Sequence, residues 1–154
     1  MTDILNDKLS NDLTLPSDLR QQIEREGAAA YPNECCGILI GRDIVENGIP
    51  QRIVDRLEPG RNAFEADEQY HRFSIDPAQQ LKAEKIAERE GKAVLGYYHS
   101  HPDCPARPSV YDRDHAWPFY SYVIVAIAKG AAVDMTSWVL DAQTETFSSQ
   151  NIVS

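Results

Sequence analysis

The chain reads as one domain of mixed α/β (α+β) class, a single mixed, largely antiparallel β-sheet flanked by helices. Three observations carry this reading. Short apolar runs of strand length, CCGILIG (35–41), AVLGYYHSH (93–101) and YVIVAIA (122–128), are spread along the sequence. Two amphipathic stretches open on a proline, Pro16 and Pro77, as helices commonly do. Strands and helices do not alternate regularly, which argues against a doubly wound parallel sheet. A length of 154 residues suits one domain.

Residues 1–13 are polar and acidic and read as a flexible segment preceding a single domain over 14–154. PSDLRQQIEREGAAA, with Leu19 and Ile23 four apart, predicts a helix ending near Ala30, before Tyr31-Pro32. CCGILIG is a buried strand. Asn47-Gly48 is a turn signal, and QRIVDRLEP (51–59) supplies a partner strand for a hairpin. Residues 60–72 are irregular, and HRFSI (71–75) has the pattern of a short strand. Asp76 caps a helix with Pro77 in its first turn, Leu81, Ile86 and Ala87 on its apolar stripe and Gly91 as its stop. AVLGYYHSH is a strand that runs into histidines, and 102–111, with three prolines, is a loop. YDRDHAW (111–117) opens a helix. YVIVAIA is a central strand, and MTSWVLD (135–141) alternates as an edge strand or hairpin partner. The tail from 142 is polar, with one last strand around Thr146-Phe147. Trp117 and Tyr120 are expected in the core.

Fifteen Lys and Arg against 24 Asp and Glu leave a net charge of −9, which repels a phosphate backbone, so no nucleic-acid partner is expected. No stretch has the apolar length of a membrane span, and MTDILNDKLSNDL has neither the basic start nor the apolar run of a signal peptide. Cys35, Cys36 and Cys104 are an odd set without a Cys-x-x-Cys pair, which points to reduced thiols in a cytoplasm.

The chemistry concentrates in His99-Ser100-His101-Pro102, followed by Ser109 and Asp112. Side chains two apart on a strand share a face, so His99 and His101 can address one ion. A loop can return the Asp112 carboxylate to the same point. Two imidazoles and a carboxylate suit Zn²⁺ and leave a fourth position for water, as a catalytic site requires. Read singly, each has an ordinary reading that comes first: Asp112 as an acid at a helix start, Ser109 as a cap, Glu34 as a surface acid and Cys104 as a loop thiol. His115 is either a neighbour of the site or a helix residue.

HSHPDCPARPSVYD, with Glu34-Cys35-Cys36-Gly37 upstream, resembles the signature of the JAMM (MPN-plus) zinc metallopeptidases, across residues 34–112. It is most similar to small stand-alone prokaryotic members, including desampylase-like proteins and sulfur-carrier-protein cysteine peptidases. The shared stretches are Arg61-Asn62, Phe73-x-Ile75-Asp76-Pro77, Tyr98 to Pro102 and Pro105-x-Arg107-Pro108-Ser109. The resemblance implies a cytidine-deaminase-like JAMM/MPN fold. Deaminase chemistry is not implied, because the His-x-Glu and Pro-Cys-x-x-Cys elements are missing. By position, His99, His101 and Asp112 would ligate zinc, Glu34 would act as base and Ser109 would donate to the oxyanion. The implied substrate is a ubiquitin-like or sulfur-carrier protein with a Gly-Gly C-terminus, cleaved at an amide or isopeptide bond to cysteine or lysine. Residues 60–72 and 102–108 would line the tail groove. A homodimer is an expectation of the resemblance alone. Three other readings stay open, a metallopeptidase of small peptides, a non-catalytic MPN-type interaction module, and a structural zinc site that would need Cys104 as its fourth ligand.

Overall fold

A computed structural model describes residues 10–62 and 74–154. The strands are β1 (Asp12–Thr14), β2 (Cys36–Glu46), β3 (Ile49–Pro59), β4 (Ala93–Pro102), β5 (Ser121–Ala128), β6 (Ala131–Leu140) and β7 (Phe147–Val153). The helices are α1 (Ser17–Ala30), α2 (Pro77–Arg89) and the one-turn α3 (Val110–Asp114). The sheet is mixed, as expected, and it closes on itself in the order β1-β3-β2-β4-β5-β6-β7. The closing strand is β1, parallel to both β3 and β7. Residues 12 and 13, expected to be loose, therefore belong to the sheet: Leu13 and Leu15 are buried, but two leucines alternating in a polar stretch are too short a pattern to read. Closure also gives β6 partners on both sides, β5 and β7, so it is not an edge.

Strand alternation sorts the core, with a shift in β4 where the pairing to β2 skips Leu95, so that Leu95 and Tyr98 share a face. Leu95 and Tyr98 of β4, with Val123, Val125 and Ile127 of β5, pack with Ile23 of α1. On the opposite face Ile38, Ile40 and Val94 pack on Ala83 and Ala87 of α2, while Ile124 and Ala126 pack beneath Ala106. The catalytic-looking histidines belong to this second face. Gly96 permits the parallel approach of β4 to β5, since a Cβ there would lie 1.8 Å from the Ser121 carbonyl oxygen. The β2–β3 hairpin turns at Asn47 and Gly48, with φ of 53° and 75°, the left-handed pair that a two-residue hairpin turn requires.

Some elements differ from expectation. β2 runs on to Glu46 and β7 fills most of the polar tail. The helix expected over 111–117 is a single turn. Trp117 is 70% exposed rather than in the core, because the chain leaves α3 before it. Tyr120 packs against the α2-side cluster. In the expected strand 71–75, residues 71–73 lie outside the described residues, and Ile75 forms an isolated bridge with Asn62.

Arg52, fully buried, joins several strands. It donates to both carboxylate oxygens of Asp43 (2.8 Å each) and to the backbone oxygens of Leu95 (3.1 Å) and Phe119 (2.7 Å). It also donates to Ser121 Oγ (3.1 Å). Removing one partner of a buried ionic network strands the others, which costs about 3 kcal/mol or more. Arg52→Ala and Asp43→Ala are each expected to lose that much in urea unfolding, because without Asp43 the fully buried Arg52 guanidinium keeps its charge and loses its counterion.

Candidate metal centre

Strand β4 delivers His99 and His101 to one face, in register with Ile124 and Ala126 of β5. Both rings are buried. Their Nε2 atoms lie 3.1 Å apart. Asp112 enters from α3, its Oδ2 3.3 Å from His99 Nε2 and 3.1 Å from His101 Nε2. Donors on a tetrahedral zinc with bonds of about 2.0–2.1 Å stand about 3.3–3.4 Å apart. The three atoms thus form nearly the triangle that such an ion needs.

The donors are also chemically prepared. His101 Nδ1 lies 2.9 Å from the Pro105 carbonyl; as donor there it leaves the Nε2 lone pair facing the site, the usual orientation for a metal-bound imidazole. Burial pushes His99 below its ordinary value, which keeps it neutral. Burial also pulls His101 down, but the Asp112 carboxylate and the Pro105 carbonyl outweigh it, and His101 is raised. A cation would take the place of that proton. For Asp112, burial opposes ionisation, yet His99, His101 and the Ser109 amide hold the carboxyl far below its usual range.

Ser109 and Asp112 form a capping box on α3. Asp112 N–H donates to Ser109 Oγ (3.0 Å) and Ser109 N–H donates to Asp112 Oδ2 (2.8 Å). The cap and the candidate ligand are therefore the same carboxylate oxygen, and the turn aims it. Ser109 itself is exposed.

Glu34 sits just before β2 and is only 5% exposed. One of its carboxylate oxygens and one ring nitrogen from each of His99 and His101 all lie within 4.8 Å of one another. Two successive hydrogen bonds span about that distance, so one water could bridge Glu34 to the donors. Burial raises the Glu34 carboxyl to about 8, which puts its proton exchange near neutrality. The metal-capable group formed by Glu34, His99 and His101 does not include Cys104, which is exposed.

A cavity of about 300 Å³ opens on His99 and Asp112, walled by Tyr97, Tyr122, Ile124 and Phe147, with Trp117 and His115 also lining it. Of the stretches expected to line a tail groove, 60–72 and 102–108, only Pro108 lines this cavity among the described residues, and 63–72 lie outside them. The cavity walls were not legible in sequence, because they come from three separate strands, β4, β5 and β7. Ser100 was: lying between two inward histidines, it must face the other way, and it accepts the Cys35 N–H at 2.8 Å.

Residues 16–141 match the prokaryotic homologues of the JAB domain. The chain belongs to that family. Among its relatives is a protein named desampylase from Haloferax volcanii, 36% identical over 120 residues, 75% of this chain and 81% of that one. Another is a probable TtuB-protein conjugate cleaving protease from Thermus thermophilus, 34% identical over 73% of this chain and 68% of that one. A solution structure of a Desulfitobacterium hafniense protein superposes with a TM-score of 0.76 at 31% identity, covering 92% of this chain and 91% of that one. A JAB1/MPN domain protein from Archaeoglobus fulgidus shares the fold at 17% identity, TM-score 0.53, covering 96% and 98%. The resemblance read from the His-x-His motif is therefore a family relationship, to the small JAMM/MPN desampylase-like proteins. No helix among the described residues is long and apolar enough to cross a membrane.

Proposed function

We propose that this JAB-family chain is a zinc-dependent metallopeptidase of JAMM type. Its substrate is a ubiquitin-like or sulfur-carrier protein, cut at an amide or isopeptide bond following a C-terminal Gly-Gly. The observation that carries the reading is the convergence of His99 Nε2, His101 Nε2 and Asp112 Oδ2 within 3.3 Å, beside the buried Glu34 carboxyl. The names of the Haloferax and Thermus relatives support the substrate class.

His99, His101 and Asp112 hold the ion. Bound zinc supplies a Lewis acid and lowers the pKa of water to about 7. Glu34 accepts a proton from the attacking water as the water oxygen adds to the amide carbonyl. It returns the proton to the departing nitrogen as the C–N bond breaks, leaving a carboxylic acid and an amine, which become carboxylate and ammonium when the acid's proton passes to the amine. The Ser109 hydroxyl donates to the developing oxyanion, a contribution worth about 10²–10³ in rate where such donors have been removed. The apolar walls beside His99 exclude water from the scissile bond. We place the protein in the cytoplasm, on three cysteines that are all free.

The test uses purified protein with carrier–cysteine and carrier–lysine conjugates. Cleavage is expected with zinc, is abolished by a chelator and returns on adding zinc back. Cutting of a short fluorogenic peptide as fast as either conjugate would favour a small-peptide peptidase. Bound zinc with no turnover of any substrate would favour a non-catalytic module.

A further inference from the structure

Glu34 and the two histidines lie on different segments, so the gap between them depends on what ties those segments together. Residues 31–35 link α1 to β2 and carry Glu34. At one end, Cys35 N–H donates to Ser100 Oγ (2.8 Å) and Ser100 N–H donates to the Cys35 carbonyl (3.2 Å). Ser100 lies between His99 and His101. At the other end, the Tyr31 hydroxyl donates to Asp103 Oδ2 at 2.5 Å, two residues beyond His101. Asp103 is itself fixed. Its N–H donates to the Ile127 carbonyl (2.7 Å) and its Oδ1 accepts the Lys129 N–H (2.9 Å). Its backbone is left-handed, with φ of 54°.

The segment bearing Glu34 is thus stapled twice, once to the strand bearing the histidines at Ser100 and once to the residue that follows it, Asp103, with Glu34 between the staples. The Ser100 staple is part-buried and adjoins the start of β2. The Tyr31–Asp103 staple is exposed, where a hydrogen bond adds little to stability. We propose that Tyr31, acting through Asp103, is a positioning residue that sets the distance from Glu34 to the histidine face. This rests on Glu34 being the base. A displacement of about 1 Å at a reacting group can cost about 10²-fold in rate, so partial release by losing one staple of two should cost about tenfold.

The experiment compares Tyr31→Phe, Asp103→Ala and Asp103→Asn with wild type on a carrier conjugate, reading kcat, KM, zinc content and Tm. Tyr31→Phe and Asp103→Ala are each expected to lower kcat about tenfold, and together no further than either alone. KM and zinc content should hold, and Tm should move by less than about 3 °C for Tyr31→Phe. Asp103→Asn tolerates the left-handed backbone, keeps its oxygen for the Lys129 N–H and turns its amide N–H toward the Tyr31 oxygen, so the staple survives with its direction reversed and most of kcat should be restored. Combined with Glu34→Gln, Tyr31→Phe should reduce the residual rate no further. An undiminished kcat in Tyr31→Phe, or an equal loss in the Glu34→Gln background, overturns the positioning role while the hydrolase reading stands. A zinc-loaded wild type inert on every conjugate overturns both.

Discussion

Glu34→Gln is expected to lower kcat by about 10²–10⁴ while zinc stays near one per chain. The amide keeps the size and neutral polarity of the protonated acid, so a buried site at 5% exposure is little disturbed. What it loses is the ability to take a proton. Zinc analysis beside single-turnover kinetics checks this, and a variant that turns over at the wild-type rate removes Glu34 from the reaction. The metal-free protein offers a second reading of the same group. Burial lifts the Glu34 carboxyl from 4.5 to about 8. Between those values the folded chain holds a proton that the unfolded chain has released, so stability falls as pH rises through that window. Urea midpoints of metal-free wild type should drop from about pH 5 to about pH 8 relative to those of Glu34→Gln. Parallel curves would mean that the buried carboxyl ionises without penalty.

The site was more legible than the sheet that holds it. His99 and His101 are two apart on a run of β-forming residues, and period two alone places them on one face. Asp112 and Ser109 each had a local reading as helix-start residues and a distant one as site residues. The capping box makes both true, because one carboxylate oxygen serves the turn and faces the histidines. The long hairpin was only half visible. Arg42, Asp43 and Glu46 break any apolar alternation at the hairpin end, where even Val45 meets solvent, and its pairing runs through cross-strand ions such as Arg42 with Asp55 at 2.8 Å. Hydrophobic patterning cannot register such a strand. Barrel closure was hidden for a related reason. It depends on three residues, Asp12–Thr14, paired with partners 39 and 139 positions along the chain, and on Arg52, a charge that composition alone would place outside.

Replacing Asp112 separates its two duties. Asp112→Ala removes a candidate metal ligand and the cap together, so zinc should be lost and activity fall by about 10³-fold or more, the scale of several kcal/mol of charge stabilisation. That result alone could come from unravelling α3, whose single turn is held by Ser109 and Asp112. Asp112→Asn resolves it. The asparagine oxygen can still accept the Ser109 N–H that now reaches Oδ2 at 2.8 Å, so the turn survives. The negative charge that balances the cation is gone, and a neutral amide is a poor zinc ligand. The Asn variant should therefore keep a Tm close to wild type while its zinc affinity falls at least about tenfold and its turnover falls with it. Thermal unfolding with and without chelator gives the contrast, since zinc should raise the wild-type midpoint and barely move that of Asp112→Asn. An Asn variant that binds zinc as tightly as wild type would confine Asp112 to its cap, and the ion would then have to be held by Glu34, His99 and His101 instead.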